Sequence, residues 1–312
     1  MQGMLEGFEA PSTRSADVAR VLVDVDLPHM DRPLDYIVPA GLADAAVVGS
    51  LVRVRLSSAR IDGWIVERTR REVGEGTASL ESVVSSTPVL APSIYETARR
   101  IAARFLATTS QVLSLAIPPR HARAEREARD ENAPTWPTVT SDHVGLGWEA
   151  YPAGEALVSR LRAGESPRAI ATMLRPRLRG CLSEAVASTV ASRRSVIVVT
   201  ATGEQAGRYA RELSEDLSIP VSLAGSEVAA EKRYRLHVAA SLGRVPVVVG
   251  TRSAVWVPCS RLGLIIIVDD GDDRLRERRF PRCDALDVAV QRCAVEGSGL
   301  LVASSARSVK AQ

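Results

Sequence analysis

The sequence predicts an α/β chain in two parts: a small N-terminal β-barrel-like domain, then a doubly wound parallel-sheet lobe. Three observations predict it. Short β-branched runs separated by Pro, Gly and Asp fill residues 18–68. After Pro92 the apolar spacing changes to three and four, the period of a helix. Between residues 195 and 303, continuous apolar runs alternate with helical segments, as in a parallel sheet covered on both faces. The chain has 312 residues, 46% of them apolar and 25% charged, enough for two domains with real cores.

In order, residues 1–17 read as a loose acidic tail. Strands are expected at Val18–Leu27, at Leu34–Val38 before Pro39, at Leu51–Leu56 and at Gly63–Arg68. In the third, Arg53 and Arg55 alternate with Val52, Val54 and Leu56, so both arginines share one face. Ile94, Ala98, Ile101, Ala102 and Phe105 then follow helical spacing, with Ser93 and Glu96 at capping-box positions. The helical pattern continues brokenly through Val112–Leu115 and stops before Pro118 and Pro119. This completes a first domain over 18–120. Residues 121–147, charged and then polar with Pro, Thr and Gly, read as a linker. The lobe, 148–312, carries apolar strands at 195–199, 219–223, 245–249, 264–268 and 299–303, with helices at 204–217, 227–242 and 284–296.

Composition excludes several classes. Only Lys232 and Lys310 among the forty basic residues are lysines, and neither stands between Gly and Ser or Thr. No Walker A phosphate loop is present. Cys181, Cys259, Cys283 and Cys293 form no C-x-x-C pair, so they read as buried thiols in a reducing cytoplasm, with no metal site. No basic-then-apolar leader is present, and the longest aliphatic run, Leu264–Val268, cannot span a membrane. The expectation is a soluble cytoplasmic protein. His29, His121, His143 and His237 form no catalytic spacing, and no nucleophile–base pair is identifiable.

Ligands of parallel sheets gather at the carboxyl ends of the strands. After Val249 stand Gly250, Thr251, Arg252 and Ser253, which suit a phosphate through amides, hydroxyls and a charged fork, or form a capped turn with a solvent-facing Arg. After Val268 come Asp269, Asp270, Gly271, Asp272 and Asp273. They read either as a Walker B-like magnesium tip or as acidic capping balanced by the following arginines. Thr200–Gly203 is a further tip with weaker support.

Joint order carries a resemblance. Val248-Val-Gly-Thr-Arg-Ser-Ala254, Leu262-Gly-Leu-Ile-Ile-Ile-Val-Asp269 and Ala303-Ser-Ser-Ala306 resemble the first, RecA-like motor lobe of the PriA family of primosomal replication-restart helicases. Leu27-Pro-His-Met-Asp-Arg-Pro-Leu-Asp-Tyr-Ile-Val-Pro39 is similar to that family's opening strand and FDYLVP element. Leu51–Arg55, Asp62-Gly63 and Val112-Leu113 to Pro118-Pro119-Arg120 match in order. The departures point to the family's actinobacterial branch with a degenerate motor. The GxGKT loop, expected near 150–170, has no counterpart; D-E-E-H reads Asp269-Asp270-Gly271-Asp272. The stretch 120–147 is short for the winged-helix domain usual there, and the zinc cluster and second lobe fall beyond this chain, so neither zinc nor ATP is expected as cofactor.

The resemblance implies a replication-restart protein that binds forks and D-loops, reads the 3′ end of the nascent leading strand and helps assemble the primosome with helicase-loading factors, without its own helicase activity. Asp35, flanked by Leu34 and Tyr36, occupies the family's terminal-base position; a carboxylate can accept from a base amino group, and Tyr36 offers a ring for stacking. Arg53 and Arg55 are expected to contribute phosphate charge, and Gly63 is carried over with them as a DNA-binding position. Two other functions stay open: an ATP-dependent 3′–5′ helicase with an unorthodox nucleotide loop using Arg168 or Arg175, and a protein-interaction remnant.

Overall fold

The computed structural model describes residues 13–132, 134–139 and 147–311. The chain divides into two compact units, one ending at Pro88 and the other running from Val89.

The first unit is a five-stranded antiparallel sheet: β1 (Thr13–Val23), β2 (Leu34–Ile37), β3 (Leu51–Leu56), β4 (Ala59–Gly74) and β5 (Ser82–Ser85), in spatial order β2-β1-β4-β3-β5. The backbone joins the two edges: Ile37 N–H donates to the Ala78 carbonyl at 2.8 Å, and Leu80 N–H to the Ile37 carbonyl at 2.9 Å, just ahead of β5. This closure gives the expected barrel-like form, filled by Val21, Val23, Val52, Val54, Ile65 and Leu80. β1 starts at Thr13, so residues 13–17 are strand and not tail; residues 1–12 lie outside those described. The register of β1 on β4 shifts between Arg20 and Val21, a bulge that deepens local twist. Past it, Gly63 lies against β1, where a Cβ would stand 2.7 Å from both the Leu22 carbonyl and Val21 Cγ1. Packing requires that glycine.

The second unit opens with α1 (Pro92–Phe105) and α2 (Thr109–Ala116). The expected capping box of Ser93 and Glu96 does not form. Pro92 takes the first helical position, so Ser93 lies inside the helix, where its carbonyl accepts from Thr97 Oγ1 at 2.8 Å. Thr108 and Gln111 make the capping box instead, on α2. α1 and α2 pack within this second unit, although sequence reading grouped them with the strands before them.

Within the expected linker, α3 (Ala122–Asp130) is a helix. Its charges masked Ala124 and Ala128, both buried four residues apart. After α4 (Gly154–Arg162) come β6 (Arg168–Thr172), α5 (Arg175–Ala191), β7 (Ser195–Val199), α6 (Gly203–Leu217), β8 (Val221–Ala224), α7 (Ala230–Ser241), β9 (Val247–Gly250), β10 (Leu262–Val268), α8 (Ala285–Glu296) and β11 (Gly299–Ser304). The six strands are parallel, in order β6-β11-β10-β7-β9-β8. The chain leaves β7 for one edge at β8, returns through β9 and crosses to β10 and β11, the doubly wound pattern. Every residue of β7, β9, β10 and β11 is buried, which is why these strands read as continuous apolar runs. On one face Val196, Val198, Ile266 and Val268 pack with α4, α5 and α6; α8 also packs on β10 and β11. All four cysteines are buried and free, as expected.

Candidate nucleic-acid interface

Strand alternation decides what β2 presents. Asp35 points outward with its side chain 39% exposed, while Leu34 and Tyr36 face the core. Tyr36 is buried, and its hydroxyl donates to the Arg55 carbonyl at 3.3 Å; burial pushes its phenol pKa up. The expected stacking role for Tyr36 therefore fails, because the pleat turns its ring inside. Asp35 stands between two guanidiniums: Arg20 on β1 at 3.7 Å, and Arg71 on β4, which contacts its other oxygen. Arg20 also donates to Glu67 at 2.9 Å. Sequence reading missed Arg20 and Arg71, since only the register opposite β2 brings them there; a basic run at Arg68–Arg71 was the available signal.

Arg53 and Arg55 do share the outer face of β3. Arg53 donates twice to Asp62, at 2.7 and 3.2 Å, and Arg55 donates to Glu81 at 3.1 Å. Arg60 meets the other Glu81 oxygen at 3.0 Å. The Asp62 hydrogen bonds push the Arg53 pKa up, so its charge is secure. Exposed pairs of this kind are worth little, and the guanidiniums can exchange a carboxylate for a phosphate at small cost.

In the second unit, the tip after β9 is shaped by close approach. A Cβ on Gly250 would overlap the Ala224 carbonyl of neighbouring β8. Thr251 N–H donates to that same carbonyl at 3.1 Å, leaving Thr251 nearly buried and Ser253 exposed. Arg252 is half-buried, and its Nε donates to Glu277 at 3.2 Å. Burial disfavours the Glu277 carboxylate, but the Arg279 amide and Arg252 outweigh it and hold the pKa below the usual range. Thr251, Arg252 and Ser253 line a cavity of about 360 Å³. At the neighbouring tip, Thr202 and Gln205 form a capping box for α6.

Asp269, Asp270 and Asp272 of the acidic tip each have a side-chain partner. Asp269, at φ 53°, has Arg175 at 3.8 Å. Asp270 is buried and accepts from Ser304 Oγ at 2.6 Å and from Ser308 Oγ. Asp272 takes a bidentate Arg274 at 2.9 and 2.6 Å and caps the turn at Asp273–Leu275; Arg274 holds its pKa down at about 2. Among the described residues, no group of three or more His, Cys, Asp or Glu is arranged to hold a metal ion. Of these carboxylates, Asp272 caps the following turn and is balanced by Arg274.

The region near 150–170, where the resemblance places a phosphate loop, holds α4 and the start of β6. Residues 154–162 form α4, whereas the strand-to-helix turn beside the acidic tip is Met173-Leu174, between β6 and α5. Met173 N–H donates to the Ser304 carbonyl at 3.0 Å, next to Asp270. A phosphate loop joins a strand to a helix through a Gly-rich segment; this turn has two residues and no glycine.

An antiparallel barrel with an outward Asp35–arginine cluster, followed by a parallel sheet with an Arg-bearing tip, has the features of a nucleic-acid-binding protein. Residues 20–118 match the family model described as the 3′DNA-binding domain (3′BD) of PriA. The chain is 36% identical over 292 residues to "Probable replication restart protein PriA" of Mycobacterium tuberculosis, covering 92% of this chain and 44% of that protein. It is 30% identical over the same shares to the protein of that name from Mycobacterium leprae. The chain is similar to these relatives over most of its own length and spans less than half of theirs. A solved structure titled RecG bound to a three-way DNA junction aligns at TM-score 0.34 and 14% identity, over 67% of this chain and 23% of that one. Among the described residues, no helix is long and apolar enough to cross a membrane.

Proposed function

We propose that this chain binds forked or D-loop DNA at the 3′ end of a nascent strand and serves replication restart, supporting primosome assembly and helicase loading without turning over nucleotide. The observation that carries the reading is Asp35, held outward between Arg20 and Arg71 inside the segment that matches the 3′DNA-binding domain. A carboxylate flanked by guanidiniums offers an acceptor for a terminal base or hydroxyl and charge for the adjoining phosphate. Arg53 and Arg55 extend that charge along β3. In the second unit, Thr251, Arg252 and Ser253 hold DNA backbone, a task that needs no hydrolysis. The glycine-free turn at Met173-Leu174 supports a role without ATP as cofactor.

Fluorescence anisotropy on forks ending in a 3′-hydroxyl or a 3′-phosphate tests this. The blocked end is expected to bind about tenfold more weakly, the worth of one good polar contact, and Asp35→Ala to erase the difference. Equal, strongly salt-dependent binding to both ends would reject end reading.

One observation favours a second reading. Arg175 opens α5 and stands 3.8 Å from Asp269, a cation at the position of a helix-start phosphate ligand. DNA-stimulated ATP turnover that is lost in Asp269→Asn would replace the first reading by an ATPase.

A further inference from the structure

The cavity beside the Gly250–Ser253 tip has a composition that backbone binding does not use. Ile117, Pro118, Leu236 and Val255 give it apolar walls, and it encloses about 360 Å³. Polar side chains line it as well, among them Arg233, Arg252, Glu277 and Arg279. Glu277 is fixed: one carboxylate oxygen accepts from the amides of Arg278 and Arg279 at 2.8 and 3.1 Å, the other from Arg252 Nε at 3.2 Å. The second oxygen keeps a lone pair for another donor. Arg233, on α7, also lines the cavity, and its Nε is buried with no hydrogen-bond partner among the described residues. A buried donor left unpaired is costly, and calls for an acceptor.

An apolar ligand would leave Arg233 Nε without a partner. A plain anion would suit Arg233, Arg252 and Arg279 but would face the Glu277 carboxylate and leave Ile117, Pro118, Leu236 and Val255 unused. A heteroaromatic base has two apolar faces and an edge of donors and acceptors, and matches both features. We propose that this cavity receives one unstacked nucleobase of the DNA strand whose backbone lies on Thr251, Arg252 and Ser253. The proposal rests on the backbone-binding role of that tip and adds a base-binding subsite to it. Apolar walls hold the faces of the base, while Arg233 donates to its edge and Glu277 accepts from it.

The test uses the full chain and the shortest single-stranded oligonucleotide that keeps full affinity, so that the register cannot slip. One abasic residue is walked through its internal positions and binding is followed by anisotropy. A single internal abasic position is expected to weaken binding about tenfold, the worth of one lost stacked base. Leu236→Trp, which fills the cavity, is expected to bind the intact strand as weakly as the unchanged protein binds that abasic strand. A flat abasic profile, with Arg252→Ala still weakening binding, overturns the base pocket and leaves the tip as a backbone grip. Unchanged affinity in Arg252→Ala overturns the tip and the pocket together. The profile of the unchanged protein decides by itself if Leu236→Trp fails to fold.

Discussion

Replacing Arg292 by Met is expected to destabilise the parallel-sheet unit by about 3–5 kcal/mol, the cost of removing one partner from a buried ion pair. Arg292 lies on α8 with its side chain fully buried, and its Nε donates to Glu296 at 2.6 Å across one helical turn. Glu296 is itself only 8% exposed in its side chain. One terminal nitrogen of Arg292 donates to the Val255 carbonyl, at the end of the short helix Arg252–Trp256 behind the Gly250 tip. The Met variant strands a buried carboxylate and strips a donor from that carbonyl. Changing both residues, Arg292→Met with Glu296→Leu, removes the stranded charge as well. Desolvation of a buried pair nearly offsets its attraction, so the double variant is expected to regain most of the loss. Urea midpoints for the unchanged protein and the two variants check this. A single Met variant at the unchanged midpoint, or a double variant less stable than the single, rejects the ion-pair account.

Arg292 also illustrates what the sequence left hidden. Its place in α8 was legible from the run 284–296, but nothing local marks an arginine as fully buried. The same division runs through the fold. β7, β9, β10 and β11 stood out because both their faces are buried, so the apolar signal is continuous. β6 lies at the sheet edge with the pattern Arg-Ala-Ile-Ala-Thr and Ile170 40% exposed, too weak to stand out. α3 was hidden by charges that turn out to be partnered: Glu125 accepts from Tyr234 at 3.0 Å and Arg120 at 2.8 Å, and Arg235 donates to Glu131 at 2.8 Å. At the candidate interface, the outward placing of Asp35, Arg53 and Arg55 follows from period two alone. Alternation also turns Tyr36 inward, and the stacking expectation overlooked that constraint. The guanidiniums around Asp35 come from β1 and β4, and their meeting depends on pairing across 15 and 36 residues of chain. Long-range register carries that information, and single-sequence patterns do not.

The second large effect concerns pH. His237 on α7 is buried, with its Nε2 2.7 Å from the Val89 carbonyl and its ring stacked on Tyr234 at 6.5 Å. That geometry selects the neutral tautomer with the proton on Nε2. Burial lowers its pKa from 6.5 to about 4; the Val89 hydrogen bond works against the shift and the Arg292 charge adds to it. In the unfolded chain the ring binds its proton near 6.5, so between 6.5 and about 4 the folded state holds fewer protons. Stability from this group is therefore complete above pH 6.5 and is lost as pH falls toward 4. At about 1.4 kcal/mol per pH unit, the loss amounts to about 3 kcal/mol across the window. His237→Gln keeps an amide donor for Val89 and removes the titration, so its urea midpoint is expected to fall less steeply between pH 6.5 and 4. Arg292→Met removes a cation that helps keep His237 neutral, and its stability is expected to depend less on pH in this window, despite its lower absolute value. Equal slopes for the unchanged protein and His237→Gln would show that this histidine does not set the acid limit. A steeper slope in Arg292→Met would reverse the assigned sign of the coupling.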